Sequence, residues 1–372
     1  MEIVHIGTSL VPVQHRFGGA LERRILEISK KQADAGHTVS IISPAGSDGL
    51  QTVHGVQIKG LRLRSRRPLR DYEFLLRARR WLNRQPPKDV LHAHGAPAAA
   101  TALRHRFGVT VQSVDFFRYR GTNSALGYRY HARRLADFDL QLAASQYCAE
   151  AFTQFYPHLK ATVRVLYNGV NLAQFKVDQA AASAARDALG LPGGPLVVYL
   201  GRVCEQKGSD LLEPLALSLR QSHPEATVVA AGPPEQFTAT GRTTLTHRLE
   251  LAGVKCLGAV EEDHIAGLLG VADVFVLPTR REEMFGMSAL EAIACGAPVV
   301  AASLGGIPEA VGPNAILFPP GDAAAFIDAV TRVLDDPRVA NELRDMDRAH
   351  SSRFDWSMIT SDCLRYYAEA AR

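Results

Sequence analysis

The chain of 372 residues contains only five cysteines, and no two of them are close together in the sequence. They are Cys148, Cys204, Cys256, Cys295 and Cys363, and no C-x-x-C pair occurs. Scattered cysteines inside apolar segments argue against a disulfide framework and a zinc ribbon. We therefore expect reduced thiols in a cytoplasmic protein.

Long apolar runs are also absent. No uncharged apolar stretch reaches the ~18 residues that a membrane span requires. The chain starts with an apolar, strand-like segment, Met1–Ile6, without the basic region of a signal peptide. We expect neither a membrane-spanning helix nor a signal peptide.

The length and composition are those of two α/β domains. Apolar residues make up 47% of the chain and charged residues 22%, which is ordinary for globular proteins. Apolar strand patterns alternate with helical patterns in both halves, which predicts parallel sheets. The boundary is expected in Lys176–Gly194, which gives domains at 1–176 and 190–355 and a final amphipathic segment at 356–372.

The most informative stretch follows the predicted strand Val274–Leu277. A loop carrying Glu282 and Glu283 leads to a predicted helix, Phe285–Cys295, which ends before Gly296. The N–H groups of Gly286, Met287 and Ser288 at this helix start would face an anion. Glu291 lies about two turns inside the helix.

Carboxylates beside a phosphate-binding helix start suit a ligand with an anionic end and many hydroxyl groups. A nucleotide sugar has this form, because its diphosphate binds N–H groups and its hydroxyls donate to carboxylates. The alternative interpretation is that the glutamates are solvated charges on an ordinary strand–helix unit.

A second loop, Gly201–Gly208, also follows a predicted strand and precedes a helix. Arg202 offers planar paired donors and Lys207 a point charge, and together they could neutralise a diphosphate leaving group. The loop is not a Walker phosphate loop, because G-x-x-x-x-G-K-[ST] is absent.

The two loops together resemble the donor site of the retaining glycosyltransferases of family 4 (glycosyl transferases group 1). Glu283 and Glu291 are spaced as Glu-x7-Glu with Phe285-Gly286 between them, and Arg202 and Lys207 match the diphosphate clamp. The resemblance implies a GT-B fold, in which two Rossmann-like domains face each other across a cleft.

The resemblance also implies separate binding roles for the two domains. The first domain would bind the acceptor and the second the nucleotide sugar, with UDP as the favoured nucleotide and base contacts near Leu257–Val260. The segment 356–372 would cross back onto the first domain. Neither a metal nor another cofactor is expected.

Three features of the first half leave alternatives open. Gly18-Gly19 at a helix start either closes over the donor diphosphate, as in the family, or makes a plain turn. His92 and His94 share one face of a strand and either line the cleft or, with much less support, bind a metal. Asp115 follows Val114, where the family commonly has a histidine, and it either serves the acceptor or caps a helix.

Two further patterns also have ordinary structural explanations. Asp137-Phe138-Asp139 matches the D-x-D of metal-dependent transferases, but we interpret it as coincidence. Nine arginines crowd the stretch from Arg62 to Arg84. They either form a solvated surface or contact an anionic membrane or acceptor, and no nucleic-acid-binding module accompanies them.

The sequence thus predicts a retaining glycosyltransferase acting on a nucleotide sugar and an unidentified acceptor. The alternatives are a nucleotide-sugar 2-epimerase of the same fold and a non-catalytic nucleotide-sugar-binding protein. The absence of the histidine at Val114 gives the non-catalytic alternative some support, and the intact clamp argues against it.

Overall fold

The computed structural model describes residues 1–9, 11–13, 19–66, 69–94, 106–114, 124–176, 179–234, 244–345 and 347–372. The chain divides into two compact units. The first comprises Met1–Gly169 together with Trp356–Arg372, and the second comprises Val170–Asp355.

The first unit is built on an eight-stranded sheet with the order β3-β4-β2-β1-β5-β6-β7-β8. Only the β3–β4 pair is antiparallel, and its turn holds His54 and Gly55 at positive φ, as a tight hairpin requires. The hairpin begins at Gly49, whereas the sequence pattern predicts an extended hairpin insert at Val53–Leu63. The strands are β1 Glu2–Ile6, β2 Thr38–Ala45, β3 Gly49–Val53, β4 Val56–Arg62, β5 Lys88–His94, β6 Phe107–Val114, β7 Leu140–Ala143 and β8 Val163–Val165.

Helices flank this sheet wherever the sequence has apolar residues at helical spacing. In α2, for example, Phe74, Ala78 and Leu82 lie on one face and enter the core below the sheet. The described helices before residue 170 are α1 Ala20–Asp34, α2 Leu69–Leu82, α3 Ala125–Leu135 and α4 Gln146–Phe155.

The second unit has an all-parallel six-stranded sheet with the order β11-β10-β9-β12-β13-β14. Its strands are β9 Leu196–Leu200, β10 Thr227–Ala231, β11 Lys255–Gly258, β12 Val274–Leu277, β13 Val299–Ala302 and β14 Ala315–Phe318. The direction of winding reverses between β9 and β12. Ligands of such sheets bind beyond the carboxyl ends of the strands at this point.

The second unit starts earlier than the sequence indicated. We expected the domain boundary in Lys176–Gly194, but the second unit begins at Val170, and residues 179–188 form helix α5, which packs against α8. A Cβ on Gly267 would lie 2.3 Å from the Cβ of Ala185, so small residues allow this close contact. The helices are α5 Gln179–Ala188, α6 Leu212–Ser222, α7 Thr244–Leu251, α8 Glu262–Gly270, α9 Met287–Ala294, α10 Ile307–Val311, α11 Ala323–Asp335, α12 Pro337–Asp345 and α13 Asp347–Ser352.

The final helix, α14 (Trp356–Ala370), belongs to the first unit and packs against α1. The Tyr366 hydroxyl donates to the carbonyl oxygen of Val165 over 3.2 Å. In the described ranges of the chain, every helix is too short or too polar to cross a lipid bilayer.

Candidate active site

Two loops at the reversal point of the second sheet are held together by backbone contacts. The N–H groups of Arg280 and Arg281, after β12, donate to the carbonyl oxygen of Gln206, after β9, over 3.2 and 3.1 Å. Gly208 has a φ of +69°, and a Cβ there would lie 1.7 Å from the carbonyl oxygen of Pro278. Only glycine permits the loops to approach this closely.

This contact brings Lys207 and Glu283 together. The Lys207 ammonium and the Glu283 carboxylate form a direct ion pair, with 26% and 20% of their side-chain surfaces exposed. Solvent can therefore reach both charges. Each remains available for exchange with a ligand.

A third loop fixes the backbone of Glu283. The N–H of Gly306, after β13, donates to the Glu283 carbonyl oxygen over 2.8 Å. Gly305 has a φ of +64°, and a Cβ there would lie 2.2 Å from the same oxygen. The position of the carboxylate thus depends on loops from three adjacent strands.

Helix α9 begins immediately after this loop. Gly286, with a φ of +100°, is its N-cap, and Met287 and Ser288 are its first residues. Their N–H groups have no acceptor within the helix and lie at its positive end. Glu291, further along the same helix, is only 2% exposed. The Glu291 side chain is therefore buried inside the unit.

The remaining predicted donor-site residues lie in the same unit. Arg202 is exposed, and its side chain has no partner among the described residues. Its carbonyl oxygen accepts from the Tyr199 hydroxyl over 2.6 Å, and burial raises the pKa of that tyrosine, which keeps it protonated. Phe285 is buried against Phe354, and Val260 is half-buried in the loop after β11.

The two histidines of β5 belong to a buried network in the first unit. The register of the parallel strands places His5 of β1 opposite His92. His92 Nε2 lies 2.8 Å from the Ser113 hydroxyl, and its Nδ1 lies 2.6 Å from the Tyr367 hydroxyl of α14. The ring centroids of His92 and His94 are 4.1 Å apart.

The hydrogen bonds define the tautomers of the other two rings. His5 Nε2 lies 2.8 Å from the Gln32 amide oxygen and must donate to it. His5 Nδ1 is then an acceptor, and it receives the proton of His94 Nε2 over 3.0 Å. His94 Nδ1 is left as a buried acceptor without a partner in the described residues.

This burial differs from the cleft-lining position that the sequence indicated. Neither His92 nor His94 has exposed surface, because α14 covers the strand end with Tyr367. Burial lowers the pKa of all three histidines, that of His5 to about 4, so the rings are neutral at pH 7.

The three histidines are also the one group of possible metal ligands found in the described part of the chain. Both nitrogens of His5 and both of His92 are already hydrogen-bonded. The arrangement is therefore that of a hydrogen-bonded core rather than of a ready metal site.

Two predicted site residues, Gly18 and Asp115, lie outside the described residues. Gly19 is the N-cap of α1, and its N–H donates to the Glu22 carboxylate over 3.0 Å. Asp139 of the D-x-D accepts the backbone N–H and the hydroxyl of Thr110, both over 2.8 Å. This carboxylate links β6 to the start of β7, a structural role.

Sequence reasoning missed two relationships. It placed Lys207 and Glu283 in one site but did not predict that they bind each other. It also missed His5 as a neighbour of His92. His5, a polar residue in the apolar strand β1, was a signal present in the sequence. The register between β1 and β5, which places His5 opposite His92, could not be read from the sequence.

Comparisons with known proteins agree with this architecture. Residues 17–174 match the family described as Glycosyltransferase Family 4, and residues 194–336 match Glycosyl transferases group 1. The chain is 28% identical to the glycogen synthase of Mycobacterium tuberculosis over 95% of this chain and 92% of that protein. It is 37% identical to the D-inositol 3-phosphate glycosyltransferase of Salinispora arenicola, over 56% of this chain but only half of that protein.

Solved structures show the same fold at low identity. The sucrose-phosphate synthase of Thermosynechococcus elongatus has a TM-score of 0.81 at 22% identity and covers 99% of both chains. Anabaena HepE in complex with UDP-glucose has a TM-score of 0.79 at 22% identity, covering 99% of this chain and 100% of that chain.

The fold predicted from the sequence, GT-B with two α/β domains on parallel sheets, is thus confirmed. The two family models together match most of the chain, and the protein is a glycosyltransferase.

Proposed function

We propose that the protein transfers a sugar from a nucleoside-diphosphate sugar to an acceptor hydroxyl, with retention at the anomeric carbon and without a metal ion. The carrying observation is the Lys207–Glu283 ion pair at the reversal point of the second sheet. A cation that can neutralise a leaving diphosphate lies here beside a carboxylate that can accept hydrogen bonds from a sugar, and such sheets bind ligands at this point.

The ion pair suggests how the donor enters. The two side chains neutralise each other. An arriving diphosphate competes for the Lys207 ammonium and also meets Arg202 and the N–H groups of Met287 and Ser288. Glu283 is then released to accept hydrogen bonds from the sugar. The charge that develops on the leaving diphosphate is stabilised by fixed cations and N–H groups, which is the role of a metal in other transferases.

The other residues complete the donor site. Glu291, inside α9, would accept the ribose hydroxyls, and the loop containing Val260 would meet the base. In the first unit, Gly18-Gly19 would close over the diphosphate, and Asp115 would orient the acceptor hydroxyl or accept its proton. The first unit would then bind the acceptor and the second unit the donor.

UDP-sugars are the favoured donors. The family resemblance makes uridine the common base, and the structurally similar HepE was solved with UDP and with UDP-glucose. The relatives named above include a glycogen synthase and an inositol phosphate glycosyltransferase, whose acceptors differ in class. The proposal therefore specifies the class of donor and does not name an acceptor.

A donor screen tests this function. Thermal shifts are measured with UDP-, GDP- and ADP-sugars, and the best donor is then incubated with acceptor pools while the released nucleotide is quantified. We expect a UDP-sugar to stabilise the protein and acceptor to accelerate UDP release, with the donor's anomeric configuration kept in the product. Conversion of the donor to its 2-epimer without acceptor would support the epimerase instead, and an inverted product would refute retention.

A further inference from the structure

Helix α2 carries a second apolar face that no part of the described chain covers. Phe74, Ala78 and Leu82 pack into the core. At about 100° per residue, Leu69, Tyr72 and Leu76 lie on the roughly opposite side. Their exposed fractions are 66%, 69% and 52%. A cluster of large exposed apolar side chains on one helix face indicates an interaction surface.

The same face borders a cationic pocket of about 940 Å³. Its lining has five cations and two anions, namely Lys59, Arg64, Arg77, Arg80 and Arg84 against Asp48 and Glu73. The excess of positive charge favours a negatively charged occupant.

Both anions of the pocket are already engaged. Asp48 pairs with Arg77 over 2.7 Å. Glu73 accepts the backbone N–H groups of Arg64 and Ser65 at 3.1 Å or less, and these bonds lower its pKa. No partner of the Arg64, Arg80 or Arg84 guanidinium is found within the described residues. These three cations are available to an external anion.

We propose that this surface, Leu69, Tyr72 and Leu76 with Arg64, Arg80 and Arg84, docks the protein on an anionic lipid membrane. The three apolar side chains would enter the boundary between headgroups and acyl chains, and the arginines would bind lipid phosphates. The combination selects a membrane over a nucleic acid, because phosphodiester strands offer nothing that would bury two exposed leucines. The proposal does not depend on which sugar is transferred.

Co-sedimentation of the full chain with vesicles tests the proposal. One vesicle population is phosphatidylcholine alone, and the other contains phosphatidylcholine and phosphatidylglycerol in equal amounts. We expect binding to the anionic vesicles only, weakening as salt is raised because surface charges are screened. Equal binding to both populations, or to neither, would overturn the proposal.

Two variants separate the apolar and cationic contributions. L69S/Y72S/L76S keeps every arginine, and R80E/R84E keeps every apolar side chain. R80E/R84E should lower partitioning to anionic vesicles about tenfold or more, because a basic residue near such a surface contributes a factor of about five. L69S/Y72S/L76S should also lower it about tenfold or more, because its three apolar side chains no longer enter the boundary between headgroups and acyl chains. The changed side chains are exposed, so melting temperature and UDP affinity should remain those of the parent.

Matched controls carry the same changes in other places. Leu217, Leu251 and Met358 are 46%, 70% and 59% exposed, and their triple replacement by serine should leave vesicle binding unchanged. Arg332 and Arg353 are exposed in the second unit, and R332E/R353E matches the change in net charge.

A nucleic-acid ligand gives a different pattern. Fluorescence anisotropy with a labelled RNA would then show tight binding that R80E/R84E abolishes and L69S/Y72S/L76S leaves intact, while vesicle binding is absent. That result would reject the membrane and leave the arginines as a polyanion site.

Discussion

The Lys207 ammonium binds the Glu283 carboxylate although the two residues are 76 positions apart in the chain. The pair exists because Gly208 lets the loop after β9 approach the loop after β12. Each charge therefore occupies the binding capacity of the other. Substitutions at either position should therefore alter ligand binding in ways that the isolated side chains would not predict.

Glu283→Gln should reduce kcat while sparing nucleotide binding. Removing the charge takes away an anion beside the reacting carbon, and a loss of roughly 100-fold or more is expected by analogy with other charge-stabilising groups. Affinity for bare UDP, measured by calorimetry, should stay constant or rise, because Lys207 loses a competing partner. Glu282→Gln, at an exposed neighbouring carboxylate, is the control. Weaker UDP binding in the Glu283 variant would contradict the exchange of partners.

Glu291→Ala should show the opposite profile. If its carboxylate accepts ribose hydroxyls, each lost hydrogen bond to the charged group is worth about 1.5–3 kcal/mol. UDP should then bind roughly 10- to 100-fold more weakly. Because Glu291 is 2% exposed, Glu291→Gln is tested beside it to separate loss of charge from an emptied volume. Unchanged UDP affinity in both variants would place the ribose elsewhere.

Gly208→Ala should separate the two loops of the site. Its Cβ would lie 1.7 Å from the Pro278 carbonyl oxygen, so the backbone must move. UDP affinity should fall more than about tenfold, because Lys207 and the start of α9 lose their relative placement. Gly296→Ala is the matched control, since Gly296 has a φ of +80° but open space around it. It should cost only the ~1–2 kcal/mol of a left-handed residue. Equal UDP affinities in the two variants would refute the role of the close approach.

Transfer activity should survive EDTA. Arg202, Lys207 and the N–H groups at the start of α9 already provide positive charge for the leaving diphosphate. The measurement compares initial rates before and after chelation, with added Mg²⁺ and Mn²⁺ as a second arm. Strict dependence on either ion would overturn the metal-free clamp and return attention to Asp137 and Asp139.

Stability of the first unit should fall as the pH drops below about 6.5. The native pKa values of His5, His92 and His94 are lowered, so the unfolded chain binds protons near pH 6.5 that the native state excludes. Stability is therefore complete above pH 6.5 and declines towards pH 4 by about 1.4 kcal/mol per pH unit for each neutral ring.

Urea titrations at pH 7.5 and 5.5 measure this decline. Tryptophan fluorescence reports on the first unit, because Trp81 and Trp356 both belong to it. His5→Gln should flatten the pH dependence, whereas His247→Gln, at an exposed histidine, should not. If the free energy of unfolding depends on pH equally in the two variants, the buried histidine network is not the cause of that dependence.

The sequence predicted most elements of the fold because apolar runs and glycine positions are local signals. The strand predicted at Val274–Leu277 is β12, with the same bounds. The two predicted donor-site loops, Gly201–Gly208 and the one carrying Glu282 and Glu283, follow β9 and β12 for the same reason, since each comes after a recognisable apolar run.

The failures have a different physical origin. The domain boundary was predicted in a stretch that holds the alanine-rich helix α5, and its small side chains reflect close packing against Gly267. His92 was placed near solvent because its cover, Tyr367, comes from a helix 275 positions later. Contacts between distant segments depend on register and docking, which no local pattern contains.

The return of α14 to the first unit has a consequence for the order of synthesis. The second unit is one uninterrupted segment, whereas the first needs both the start of the chain and residues 356–372. Domains generally fold as units, the earliest first, while the ribosome is still at work. Here the sheet that emerges first must wait for the last helix, with His92 and its neighbours uncovered meanwhile. The segment made second is the first that can be completed, and the nascent first domain is the part most exposed to chaperones and proteases.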